Sequence, residues 1–289
     1  MHFADYKTIL SPQNGMNLYR GCTHGCIYCD SRSLCYQIKH DFEDIEVKRN
    51  APQILEEQLR KKRKPCMIGT GSMCDPYIHL EKDLEITRKC LFLIEKYGFG
   101  LTILTKSALI LRDIDILKEI NKNTKCVVQM TLTTYDEILC RKIEPNVSTT
   151  LERFHVLEAM RDAGIPTAVW ICPILPFIND TKENIKGLMD YIVRAGVRGI
   201  VSFCFGTTMR DGSREYFYKC LDLHFPGIKQ KYIERFGGEY ACYSDDGLPL
   251  RAFVKEICKQ HGIIYKSEEL SAGLFNFESR EHQISIFDI

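Results

Sequence analysis

The chain has 289 residues, 45% of them hydrophobic and 27% charged, and its formal net charge is +1 at pH 7. That length and apolar content suit one large α/β domain with a small appendage. No apolar run approaches the ~20 residues of a membrane helix, and the balanced charge gives no general pull toward a polyanion. The 14 cysteines follow no framework spacing, which points to a reducing compartment. The opening Met1-His2-Phe3-Ala4-Asp5-Tyr6-Lys7 lacks a basic-then-apolar signal pattern. A cytoplasmic protein that does not span a membrane is expected.

In chain order, residues 16–19 form a short strand leading into Gly21-Cys22-Thr23-His24-Gly25-Cys26-Ile27-Tyr28-Cys29-Asp30. Helical spacing then runs over residues 52–63, 84–97, 110–121, 151–163 and 181–195, alternating with strands at 66–70, 100–105, 126–132, 167–172 and 199–205. Six strand–helix pairs, or near-pairs, imply parallel strands covered on both faces. The fold class is α/β, a partial (β/α)6 TIM-type barrel occupying residues 1–210. Its chemistry should gather where the strands end, and the cysteine loop falls there. Residues 211–289 read as a helical C-terminal extension that closes the barrel's open side, with short helices at 214–224, 227–235 and 249–261, and ends in an extended tail.

Three cysteines within one glycine-bracketed polar loop are poor core residues and good thiolate ligands. Cys22, Cys26 and Cys29 therefore mark a 4Fe–4S site in which three ligands leave one iron open to a substrate or cofactor. Cys35 or His24 as a fourth ligand would instead give a zinc site, and Cys35 equally a closed electron-transfer cluster, but neither has the usual spacing. A cysteine-ligated binding or electron-transfer module is thus the alternative to an enzyme.

The C-x3-C-x2-C spacing with Tyr28 before the last cysteine resembles the signature of the radical S-adenosylmethionine (radical SAM) enzymes. The resemblance implies that Cys22, Cys26 and Cys29 hold the cluster and that Tyr28 lies against the adenine of S-adenosylmethionine (SAM). A reductant such as flavodoxin or ferredoxin would supply the electron that yields a 5′-deoxyadenosyl radical. The strand ends then offer cofactor contacts. Gly69-Thr70-Gly71-Ser72-Met73-Cys74-Asp75-Pro76 permits close approach of a ligand, with Ser72 and Asp75 able to bond the SAM amine or ribose, although the family's usual Gly-Gly-Glu is absent. Lys106 can neutralise the SAM carboxylate. Thr131 and Arg141 are ribose or carboxylate candidates, with Glu144 a partner for Arg141. Pro173 and Pro176 fix a loop over the site.

Asp75-Pro76-Tyr77 with Glu81, Thr105-Lys106-Ser107, Arg112-Asp113, Glu144-Pro145, Asn179-Asp180 and Arg214-Glu215-Tyr216-Phe217 narrow the resemblance to the spore photoproduct lyase-related branch. Its true lyases repair a thymine dimer in DNA and use a cysteine hydrogen-atom donor. Here the donor position holds Ser72 and the nearest thiol, Cys74, reads as structural, so the substrate stays open between DNA and a smaller metabolite or peptide. Two features bear on nucleic acid. Arg60-Lys61-Lys62-Arg63-Lys64 reads as a solvated face, with a phosphate contact as the alternative. Gln283-Ile284-Ser285-Ile286-Phe287 resembles the peptide by which bacterial proteins dock onto the replication sliding clamp.

Overall fold

Apolar, β-branched runs bounded by glycine and returned by helical crossovers can only pair in parallel, because each crossover brings the chain back to the same end of the sheet. The computed structural model describes residues 1–203 and 205–278. Strands β1 (His2–Ala4), β2 (Gly15–Met16) and β3 (Tyr19–Arg20) precede the cysteines, and β4 (Glu46–Lys48) follows them. Then β5 (Met67–Thr70), β6 (Gly100–Thr105), β7 (Cys126–Thr131), β8 (Thr167–Trp170) and β9 (Gly199–Val201) alternate with helices, and β10 (Gly206–Thr208) pairs with β11 (Ala241–Tyr243). Among the described residues the main sheet runs β2-β5-β6-β7-β8-β9, parallel throughout, a partial barrel.

The two-residue period of the strands divides their side chains. Leu101, Ile103, Val128, Met130, Val169 and Ile200 face the helices in the main core, whereas Val127, Ala168 and Val201 face inward. Leu270 and Leu274, carried by residues 267–275, fill the interior against that inner set. They enter where the strands begin, since Lys125, just ahead of β7, donates from Nζ to the Gly273 carbonyl at 3.2 Å. The C-terminal part therefore does more than cover the open side. Ile264 bridges Gly199 at the sheet's edge, Leu250, Val254 and Cys258 of helix Gly247–His261 join the main core, and the following turn plugs the floor.

Several features differ from the sequence expectation: the strand expected over residues 16–19 divides into β2, in the main sheet, and β3, in a separate one, and the strand expected over 199–205 ends at Val201. A small sheet, β1-β4-β3, straps the cysteine loop; its strands of two or three residues are too short for periodicity to reveal. A tight turn over Ala108–Asp113 precedes helix Ile114–Asn123, so that helix starts later than its apolar pattern. The basic run after residue 59 flanks the start of β5, with Lys62 donating to Asn14 and Arg60 to Tyr97 and Glu56, and lies at the opposite end of the barrel from the cysteines. No helix among the described residues is long and apolar enough to cross a membrane. The clamp-like peptide at residues 283–287 lies outside the described residues.

Helix Thr150–Asp162 begins with a capping box, in which Thr149 Oγ1 accepts from the Glu152 amide and the Glu152 carboxylate accepts from the Thr149 amide at 2.6 Å. Thr149→Ala is expected to cost about 1 kcal/mol, read as a lower urea midpoint with an unchanged slope.

Candidate active site

The cysteine loop is shaped by its anchors. Cys22 N donates to the Phe42 carbonyl at 3.0 Å, Ile27 N to Ile143 O at 3.0 Å and Asn146 N to His24 O at 3.1 Å. The loop is thereby fastened to the segment leading into β4 on one side and to the end of helix Glu137–Ile143 and the turn after it on the other. Gly21 sits at φ +84°, where a Cβ would run into the Phe42 carbonyl, so only glycine lets the backbone turn into Cys22. Cys22 and Cys26 are buried and Cys29 half-buried, and all three are free thiols. They lie close enough that the charge of Cys22 is felt at both Cys26 and Cys29. Burial first, and the Cys22 charge with it, pushes the Cys26 and Cys29 thiols up, and iron bound at all three sulfurs would offset that cost by stabilising the thiolates. Their surroundings supply a balancing charge, because burial opposes the Lys106 ammonium while Cys26, Glu144, Asp75 and Cys29 together hold its pKa above the ordinary lysine value. The donor set fits an iron–sulfur cluster.

Beside Cys29 opens a cavity of about 330 Å³ at the ends of the strands. This is the small end of the ~300–1,000 Å³ typical of ligand pockets. Tyr28, Ser72, Lys106 and Thr131 all reach it, from the cysteine loop and from the ends of β5, β6 and β7. Gly71 adjoins Ser72 at φ +99°, and a Cβ there would strike the Leu104 carbonyl, so the turn that presents Ser72 needs glycine. Part of the lining is aromatic, from Tyr36, Trp170 and Phe203, with the Trp170 indole donating to Gln129 Oε1 at 2.6 Å. Trp170 and Phe203 meet edge to face with ring centroids 5.4 Å apart. Cys172 and Pro173 add a wall from the loop after β8.

Below the cavity lies a buried ion pair. Arg153 and Glu144 are fully buried, with Nη2 2.6 Å from Oε2. Arg153 Nη1 also donates to the Thr131 carbonyl at 2.7 Å, and the Tyr28 hydroxyl donates to the other Glu144 oxygen. Two cavity residues, Tyr28 and Thr131, are thus fixed by one network. Glu144 pairs with Arg153 rather than with Arg141, which corrects the sequence expectation. The signal for Arg153 was available. It falls on the buried stripe of its helix with Thr150, Phe154, Leu157 and Met160, and a charge on an apolar stripe needs a buried partner.

Asp75 and Arg141 are not brought to the cavity. Asp75 Oδ1 accepts from Thr105 Oγ1 at 2.7 Å and from Tyr77 N at 2.9 Å, and Oδ2 from Lys106 N at 2.7 Å. It shapes the ends of β5 and β6 and places Lys106. Arg141 is exposed and lines a separate surface cavity with His24 and His79. Cys74 is buried beside the cysteine loop, its thiol donating to the Gly21 carbonyl at 2.9 Å and hydrogen-bonded with the Cys22 side chain. Cys35 is exposed and contacts Arg210 Nη1 at 3.4 Å, across the loop. Glu81, Arg112, Asp113 and Tyr77 form a second network, with Arg112 2.9 Å from both carboxylates and Tyr77 Oη 3.0 Å from Asp113.

A family model described as the Radical SAM superfamily matches residues 16–192. An uncharacterized protein of Mycobacterium tuberculosis is 30% identical over 229 residues, covering 76% of this chain and 66% of that protein. One of Methanocaldococcus jannaschii is 32% identical over 169 residues, covering 58% of this chain and 62% of the relative. The chain thus spans slightly under two thirds of the length of these relatives. A solved structure of spore photoproduct lyase complexed with dinucleoside spore photoproduct has a TM-score of 0.62, covering 86% of this chain and 74% of that one at 15% identity. That likeness is one of fold. Enzymes of the matched family use a 4Fe–4S cluster and SAM and need a reductant. With the match covering more than half of the chain and all three cysteines of the loop, the chain belongs to the radical SAM superfamily.

Proposed function

We propose that Cys22, Cys26 and Cys29 hold a 4Fe–4S cluster, that SAM occupies the adjoining cavity, and that the protein starts hydrogen-atom abstraction from a substrate admitted at the barrel mouth. The observation that carries this reading is the arrangement of three free thiols beside a cavity into which Tyr28, Ser72, Lys106 and Thr131 all project. A bound, reduced cluster would supply the one electron that splits SAM into methionine and a 5′-deoxyadenosyl radical. The chain's own residues do the rest. Lys106 pairs with the SAM carboxylate, Ser72 offers its hydroxyl to the amine or ribose, Tyr28 packs against the adenine, and the Arg153–Glu144 pair keeps Tyr28 and Thr131 in place. Asp75 acts through Lys106, and Arg141 is left outside the cofactor contacts. Residues 1–210 form the catalytic barrel and residues 211–278 support it.

Lys106→Met is expected to weaken SAM binding by ~10–100-fold, since a hydrogen bond to a charged group contributes ~1.5–3 kcal/mol. The change in the cluster's electronic spectrum on titrating SAM into the anaerobically reconstituted protein checks this, with iron content measured alongside. An unaltered titration would remove Lys106 from the site.

A DNA-directed lyase or repair reaction is the reading of substrate class favoured by the aromatic part of the lining, because Tyr36, Trp170 and Phe203 are side chains on which a nucleobase can stack. Ser72 at the donor position argues for an outcome other than dimer repair. Deuterium transfer into 5′-deoxyadenosine, from labelled DNA against labelled metabolite and peptide pools, separates the classes. Label arriving only from metabolites would sink the DNA reading, and bound zinc with no cleavage of SAM would favour a non-radical metal-binding module.

A further inference from the structure

The strap that leads into the cysteine loop carries a second set of metal-ligating groups. Strands β1 and β4 pair in parallel with His2 directly opposite Glu46, and the loop ahead of β4 lays His40 on them. The His2 and His40 rings meet edge to face with centroids 4.8 Å apart. One ligand atom from each of His2, His40 and Glu46 lies within 4.8 Å of the other two.

The hydrogen bonds decide which atoms those are. His40 Nδ1 is 2.9 Å from the Asp41 carbonyl oxygen, and a carbonyl only accepts, so the proton is on Nδ1 and Nε2 presents a lone pair. That Nε2 is buried and has no hydrogen-bond partner among the described residues. His2 Nδ1 is 2.9 Å from Asp44 Oδ2, which turns its Nε2 toward Glu46 Oε2 at 3.5 Å. The other Glu46 oxygen accepts from the Tyr6 hydroxyl. Each of the three groups therefore has its far atom held by an outer partner and its near atom facing a common point. Imidazoles oriented through Nδ1 by a carboxylate or a carbonyl are the arrangement that metal-ligating histidines use.

We propose that His2 Nε2, His40 Nε2 and Glu46 Oε2 bind one divalent transition-metal ion of the zinc class, with water as the remaining ligand. Two imidazoles and a carboxylate suit zinc or cobalt and lack the thiolates an iron–sulfur cluster uses, so this site is chemically separate from the three cysteines. Asp44 and Glu46 offset the ion's charge. The nearby Arg20 guanidinium bonds the Tyr36 and Gln37 carbonyls and the Tyr6 hydroxyl and adds a positive charge near Glu46, and the terminal ammonium bonds the second Asp44 oxygen at 2.8 Å. A metal here clamps β1 to β4, and β4 pairs with β3, which runs straight into Gly21 and Cys22. The Phe42 carbonyl that receives the Cys22 amide lies between His40 and Asp44 in the chain. The ion would therefore hold the entry to the cysteine loop without touching the reaction.

The test is a titration of cobalt(II) into untagged, cluster-loaded protein, comparing wild type with His40→Ala and Glu46→Gln, the latter nearly isosteric and safe for folding. The expected result is about one equivalent per chain with the visible bands of a tetrahedral nitrogen–oxygen site. Affinity should fall at least ~10-fold in both variants, with unchanged iron content and circular dichroism. Absence of cobalt binding in wild type, equal binding in either variant, or a thiolate charge-transfer band would each overturn the site.

Discussion

Alanine at Cys22, Cys26 or Cys29 is expected to eliminate cluster retention and, with it, reductive cleavage of SAM. Outer-shell changes around a metal typically cost 10–100-fold, so loss of one of three ligands should exceed ~100-fold in 5′-deoxyadenosine formed per chain. Among the described residues outside the loop, Cys35 and Cys74 are the thiols to weigh as substitutes, and Cys74 is hydrogen-bonded to Cys22 itself. Cys35 is exposed and against Arg210, and Cys74 is directed to the Gly21 carbonyl. Cys35→Ala should therefore retain iron, sulfide and the visible spectrum of the wild type. Iron and sulfide analysis after anaerobic reconstitution checks both halves, and loss of the cluster in Cys35→Ala would bring back a four-cysteine site.

The second large effect is expected at Arg153, which touches neither solvent nor the cavity. Arg153→Met should destabilise the protein by about 3–5 kcal/mol, the usual consequence of leaving a buried charge without its partner. At roughly 2–4 °C per kcal/mol this lowers Tm by about 6–20 °C. The uncompensated group is Glu144, which Arg153, Lys106 and the Tyr28 hydroxyl hold ionised against its burial. Pairing Arg153→Met with Glu144→Gln should recover much of the loss, because removing both charges also removes the desolvation penalty. Arg141→Ala, in contrast, should fall within about 0.5 kcal/mol of wild type as a surface change. Thermal melts of the four proteins decide the matter, and equal melts for Arg141→Ala and Arg153→Met would contradict the assignment.

The barrel was legible because β5 to β9 are largely apolar runs separated by helices whose ends are marked, as at Gly98, Gly164 and Gly196, all with positive φ. The strap was not, because two- and three-residue strands have no period to read and the β1–β4 pairing spans more than forty residues. The cysteine loop was legible as chemistry, since three thiols at that spacing among polar residues have few other uses. The ion pair misled for a local reason. Arg141 stands three residues from Glu144, but it lies on the solvent side of the short helix Glu137–Ile143, whereas Glu144 turns inward to an arginine from the next helix. Asp75 shows what a motif leaves out, namely the partners that the fold gives its carboxylate. Its residue type fits a ligand contact, yet the ends of β5 and β6 occupy both of its oxygens.

The most direct test is to reconstitute the protein anaerobically, reduce it, add SAM and quantify 5′-deoxyadenosine and methionine against a Cys26→Ala control. The account predicts both products from wild type and none above background from the variant. Intact SAM in the presence of a fully loaded, reduced cluster would contradict it.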